Sequence, residues 1–173
     1  VLVPKPDGSM RFCIDYRRIN ALTTRDSYPL SRVDECIDSL GDAQFFSTLD
    51  CNSGYWQIPV DPADRAKTTF TSHEGLYWFR RMPFGLRNAP ATFQRFVDIT
   101  LAGLTWKSCL VYLDDIIVFS KTKEEHLEHL DAVLGRLYRA GLSMIAKSAT
   151  LFRRRSITLG TLSIQEIWPW QRR

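Results

Sequence analysis

The segment Leu110-Val111-Tyr112-Leu113-Asp114-Asp115-Ile116-Ile117-Val118-Phe119 sets two acids between two short apolar runs. Each run is rich in β-branched or aromatic residues and reads as a buried strand, so the pair reads as a hairpin. A hairpin turn selected for geometry alone favours Asn-Gly or Asp-Gly, because both central residues tend toward positive φ. Two carboxylates side by side at such a tip repel each other and gain little locally. A divalent cation removes that penalty, since hard cations such as Mg²⁺ take oxygen ligands. The plain alternative is an exposed acidic turn, and a third acid elsewhere decides between the two.

Asp50 is the candidate. Phe45-Phe46-Ser47-Thr48-Leu49 reads as a strand ending at Asp50, and Cys51-Asn52-Ser53-Gly54 reads as a turn. If that strand lies beside the hairpin, Asp50, Asp114 and Asp115 meet at one sheet edge. Without a cation, three carboxylates so placed would repel one another. Two Mg²⁺ ions about 4 Å apart would let the same cluster activate an attacking hydroxyl and stabilise a leaving oxygen in phosphoryl transfer. This arrangement alone does not separate a polymerase from a two-metal nuclease.

Composition narrows the class. A chain of 173 residues suffices for one good core, or for a domain with a smaller subdomain. A formal charge of +4 with a pI near 9.0 permits a polyanionic partner. The basic bias is uneven, with Lys147, Arg153, Arg154, Arg155, Arg172 and Arg173 facing only Glu166 in the C-terminal stretch. Cys13, Cys36, Cys51 and Cys109 are widely spaced with no C-x-x-C pair, which argues against zinc and disulfides and fits a reducing compartment. No apolar run approaches the roughly 20 residues of a membrane span, so no membrane partner is expected. No signal-peptide pattern opens the chain. Val1-Leu2-Val3-Pro4 reads as mid-strand without an initiator Met, the look of a fragment.

Local patterns supply the remaining elements. Val1 to Val3 and Arg11 to Tyr16 flank the turn Lys5-Pro6-Asp7-Gly8 as a hairpin. Ser31 reads as the N-cap of a short helix carrying Val33, Ile37 and Leu40, with Gly41 as its stop. Thr68 to Thr71 and Leu76 to Arg80 pair around His73-Glu74-Gly75. Asn88 and Pro90 open a helix with Phe93, Phe96, Val97, Leu101 and Leu104 at helical spacing. Thr122 and Glu125 form a capping box, ahead of Leu127, Leu130, Val133, Leu134, Leu137 and Tyr138 as an expected buried stripe. His126 and His129, set among acids, read as solvated face. A last strand is expected near Ile157 to Leu159. This order fits an α+β fold, an antiparallel sheet with helices on one face.

Several collinear motifs then carry a resemblance. Tyr112-Leu113-Asp114-Asp115 resembles the Y-x-D-D motif of reverse transcriptases. Leu49-Asp50-Cys51-Asn52-Ser53-Gly54-Tyr55-Trp56-Gln57-Ile58-Pro59 resembles the first-aspartate motif of gypsy-class long-terminal-repeat retrotransposons. Val3-Pro4-Lys5-Pro6-Asp7-Gly8, Arg11-Phe12-Cys13-Ile14-Asp15-Tyr16-Arg17, Met82-Pro83-Phe84-Gly85-Leu86 and Asn88-Ala89-Pro90-Ala91-Thr92-Phe93-Gln94 match in the same order. The likeness runs from residue 1 to about residue 160, and together the motifs are highly specific.

The resemblance implies a right-hand polymerase fold without its thumb. Its ferredoxin-like palm would span about 46–61 and 89–160, its fingers about 1–45 and 62–88, and 161–173 would be a divergent tail. It implies that Asp50, Asp114 and Asp115 are the catalytic acids and ligands of two Mg²⁺ or Mn²⁺ ions, with the Cys51 carbonyl as a further ligand. Tyr55 would be the steric gate against a ribose 2′-hydroxyl, Phe84 a neighbour of the nucleotide sugar, and Lys5 and Arg11 triphosphate ligands. Arg17, Phe93 and Gln94 would lie where template is contacted, basic groups there neutralising phosphate. The implied partners are RNA or DNA template with primer, dNTPs and the rest of a Pol polyprotein. The implied setting is intracellular, in the cytoplasm within a virus-like particle or in the nucleus, and not secreted. An inactive retroelement relic, or a domesticated nucleic-acid-binding fragment, is the alternative from a different class, and a two-metal nuclease a third.

The C-terminal portion departs from the pattern. Where the family carries a Lys-Cys pair, this chain reads Ala146-Lys147-Ser148-Ala149-Thr150-Leu151-Phe152, with Lys147 shifted by one position and Ala149 replacing the Cys. Leu159-Gly160 resembles the start of a primer-gripping hairpin, but Thr161 stands in place of its His.

Overall fold

The structure is a computed structural model that describes residues 2–4, 8, 10–29, 33–51, 53–113, 115–145 and 150–154. In chain order its elements are β1 (Leu2–Pro4), β2 (Met10–Phe12), α1 (Arg17–Leu22), α2 (Val33–Leu40), β3 (Phe45–Asp50), β4 (Phe70–Ser72), β5 (Gly75–Tyr77), α3 (Ala89–Thr100), β6 (Cys109–Tyr112), β7 (Asp115–Ser120), α4 (Lys123–Arg139) and β8 (Thr150–Arg154). They form two compact units, Val1–Tyr28 with Ser53–Phe93, and Pro29–Asn52 with Gln94–Arg173.

The second unit is organised by an antiparallel sheet ordered β6-β7-β3-β8. Its central strands bury Ile116, Ile117 and Val118 completely, each contributing about 1.5–3 kcal/mol by leaving water. Directly opposed residues share a face of the sheet and successive residues alternate. Phe46 lies opposite Phe119 and joins Ile117, Leu110, Cys36, Leu40 and Ala43 in one apolar cluster, so α2 packs on that face. Ser47, the next residue, hydrogen-bonds His126 of α4, which therefore covers the opposite face. α4 packs there against β7 and β3.

The capping box of α4 forms as expected: Glu125 N donates to Thr122 Oγ1 at 3.2 Å, and Glu125 Oε2 accepts from Thr122 N at 3.4 Å as well as from Lys121 N at 2.8 Å. Two readings of this helix are corrected. His126 is fully buried rather than solvated. The stripe is also narrower than expected: α4 buries His126, Leu130, Val133 and Leu137, which share one line along the helix, and leaves Leu127, Leu134 and Tyr138 exposed on its flank.

In the first unit β1 pairs with β2 and β4 with β5, each as an antiparallel hairpin. The strand expected over Arg11 to Tyr16 ends at Phe12, and α1 follows it. α1 buries no residue, so it carries no apolar stripe from which periodicity could read it. Tyr16 is buried just ahead of α1 and donates from its hydroxyl to the Thr68 carbonyl at 3.2 Å; burial pushes its pKa up to about 12. The strand found beside β3 is β8, residues 150–154. The expected strand near Ile157 to Leu159, the expected cap Ser31, Lys147 and the divergent tail lie outside the described residues. Among the described residues no helix is long and apolar enough to cross a membrane.

Candidate active site

The ladder between β3 and β7 closes on a pair of acids. Asp50 is the register partner of Asp115, and Asp115 is in turn the partner of Tyr112 on β6. Tyr112, Asp115 and Asp50 thus form a row across three strands, on the face opposite His126. Opposed side chains stand about 5 Å apart at Cβ, and like charges at that spacing destabilise a sheet. Apolar or oppositely charged residues would stabilise the ladder better, so this donor set fits a hard divalent cation. Asp114 lies outside the described residues, and among those described no group of three His, Cys, Asp or Glu gathers that could hold an ion.

The pairing also relocates the turn. Asp115 begins β7 and pairs with Tyr112, so it belongs to the strand, and Leu113 opens the short loop that joins β6 to β7. Such a loop needs positive φ at its first position, and Leu113 adopts φ +54°. A branched side chain in that region costs about 1–2 kcal/mol. Leu113 N–H donates to Gln94 Oε1 at 2.7 Å, while Gln94 Nε2 donates to Asp98 Oδ1 at 3.0 Å. Gln94 is 1% exposed, and its amide is turned to the hairpin. Phe93 is likewise buried. In the structure Phe93 packs in the interior and the Gln94 amide holds the hairpin; the template contact expected of the two positions stays an expectation. The motif spacing marked both positions but could not tell contact from support.

On the far side of the sheet edge, Asp50 O accepts from Ile145 N at 2.9 Å, and Cys51 bridges to Met144.

In the first unit, Tyr55 and Phe84 come together with ring centroids 5.2 Å apart, and Tyr55 rests edge-on against Phe93 at 5.7 Å. Phe84 and Trp56 line a cavity of about 470 Å³ with Phe12, Phe70, Phe79 and Pro83. The turn carrying Phe84 needs its glycine, because Gly85 has φ +94°. Asn20 of α1 clamps this turn, donating from Nδ2 to Gly85 O and accepting from Arg87 N, each at 2.8 Å. Asn20 went unremarked in the sequence because α1 itself did.

Lys5 lies outside the described residues; Arg11 is placed on β2 by its backbone alone. Arg17 is bound to Asp15 through Nε at 3.0 Å and Nη2 at 2.7 Å. These side-chain bonds, helped by the Arg17 backbone N–H, hold the Asp15 carboxyl down at about 2.

Comparison with known proteins places this geometry. Residues 3–160 match the family model described as reverse transcriptase (RNA-dependent DNA polymerase). The chain is 43% identical over 164 residues to the retrovirus-related Pol polyprotein from transposon 297 of Drosophila melanogaster, covering 92% of the chain. It is 42% identical over 143 residues to that from transposon gypsy of the same organism, covering 83% of the chain. A foamy viral protease-reverse transcriptase solved in complex with double-stranded DNA superposes with a TM-score of 0.82 at 31% identity, covering 92% of this chain and 28% of that one. The chain spans 16% and 14% of the length of the two Pol polyproteins. With the α+β fold, the paired acids and the family match in agreement, the chain belongs to the reverse transcriptase family, close to its gypsy-type retrotransposon members.

Proposed function

We propose that the chain carries the catalytic palm, with fingers elements, of an RNA-directed DNA polymerase that extends a primer on an RNA or DNA template. The observation that supports this best is the pairing of Asp50 with Asp115 on one sheet face beside the Y-x-D-D turn. In the proposed reaction the primer 3′-hydroxyl oxygen bonds to the α-phosphorus of a dNTP, the bond to the β-phosphate bridging oxygen breaks, and pyrophosphate leaves as the hydroxyl proton is lost. Bound Mg²⁺ or Mn²⁺ would supply charge neutralisation at the attacking and leaving oxygens. Asp50, Asp115 and Asp114 would hold it; Tyr55 and Phe84 would shape the sugar site; and Lys5, Arg11 and Arg17 would meet phosphates.

Primer extension by the 173-residue chain with dNTPs and Mg²⁺ or Mn²⁺ tests the reading. Template-dependent extension that Asp115→Asn abolishes supports it. Salt-sensitive template binding with no extension under either ion selects the inactive binding fragment instead. Strand cleavage without dNTPs selects the nuclease.

A further inference from the structure

A buried polar triad joins the same two strands toward the end of the ladder away from the acidic pair. His126 Nε2 is 2.7 Å from Ser47 Oγ on β3, and its Nδ1 is 2.9 Å from Ser120 Oγ at the end of β7. All three residues are buried, with Ser47 and His126 at 0%. Ser120 Oγ gives its hydrogen to the Thr122 carbonyl at 2.9 Å. It therefore accepts from Nδ1–H, and Nε2 accepts from the Ser47 hydroxyl. One imidazole is thus bonded to both strands that carry the acids.

Polar groups buried in a sheet core cost free energy unless paired, and apolar residues at these positions would pack with less demand on geometry. What the triad adds is discrimination among registers. Ser47 lies opposite Val118, and Ser120 opposite Phe45, so the ring spans a diagonal that exists only in this pairing. A slip of one residue would turn Asp50 to the other face. A slip of two would displace it along β7 by about 7 Å. Either breaks the contact with Asp115, and either strands two buried hydroxyls.

We propose that His126 is a positioning residue for the metal-binding acids: through Ser47 and Ser120 it locks the register of β3 on β7 that sets Asp50 against Asp115. This rests on the polymerase reading for the purpose of the acids, but the register itself is measurable without activity. His126 acts from the face opposite the carboxylates and touches no reacting group.

The test compares the whole chain with His126→Phe, which fills the space without hydrogen bonds, and His126→Gln, which retains one donor and one acceptor. Mn²⁺ affinity is measured by calorimetry, and amide exchange is followed along β3 and β7. His126→Phe is expected to stay folded, to weaken Mn²⁺ binding about tenfold, as loss of an outer support of metal ligands does, and to lose protection at the Asp50 end of the ladder. His126→Gln is expected to restore both. A Phe variant with a lowered melting temperature but unchanged Mn²⁺ affinity and ladder protection would overturn the proposal, leaving the triad general stability only. Failure of the unsubstituted chain to bind Mn²⁺ would count against the polymerase reading, and the exchange data would still decide the register claim.

Discussion

Gln94 and Leu113 are joined by a 2.7 Å hydrogen bond that ties the buried side of α3 to the first turn residue of the acidic hairpin. The bond satisfies the N–H of a residue held at positive φ. Truncating Gln94→Ala would leave the amide of Leu113 without this acceptor, with an expected loss of about 1–3 kcal/mol in urea unfolding. Gln94→Glu keeps the acceptor but sets a carboxylate beside Asp98, so it should destabilise as well. Stability of both variants equal to the parent chain would contradict the role assigned to this amide.

Backbone conformation gives a second pair of expectations, two losses of different size. Gly85 sits at φ +94°, where an added Cβ would meet Tyr16 Cδ2 at an ordinary 3.5 Å. The cost of Gly85→Ala is thus backbone strain of about 1–2 kcal/mol. Leu113→Gly removes strain of the same kind from the hairpin, and its loss of stability should be the smaller. Thermal unfolding of the two variants side by side checks the order.

The triad makes stability depend on pH. Burial holds the His126 imidazole below its ordinary 6.5, with the charge of His129 adding to the effect and Glu125 opposing it. The unfolded chain therefore takes up a proton at a higher pH than the fold does, and stability is lost as pH falls below 6.5 toward the depressed folded value. It is fully present above 6.5. Unfolding midpoints at pH 8 and pH 5 should differ more for the parent chain than for His126→Phe, and equal differences would show that this imidazole is not responsible.

Much of this was legible in the letters. The strand ending at Asp50, the hairpin of β6 and β7 and the Thr122–Glu125 box were all readable because each depends on local chemistry: an apolar run, a turn, a cap. The meeting of Asp50 with Asp115 was readable because motif order stood in for long-range geometry. What escaped depends on the third dimension. α1 buries nothing, so no periodicity marks it. His126 sits between acids in sequence, yet its line on α4 turns inward to two serines that are themselves unremarkable in strands. Gln94 was flagged by its motif, but only burial shows that its amide is spent on the hairpin.

The ring pair of Tyr55 and Phe84, with Phe93 beneath, would set the width of the sugar site in the proposed reaction. Tyr55→Ala should raise ribonucleotide incorporation relative to deoxynucleotide by primer extension. An unchanged ratio would remove Tyr55 from the gate.

The central claim is that Asp50 and Asp115 serve one cation jointly. Mn²⁺ binding by the parent chain, Asp50→Asn, Asp115→Asn and the double variant measures this most directly, since residues that act as one unit are strongly non-additive. Either single substitution is expected to weaken binding nearly as much as both together. Additive losses, or full affinity in either single variant, would contradict it.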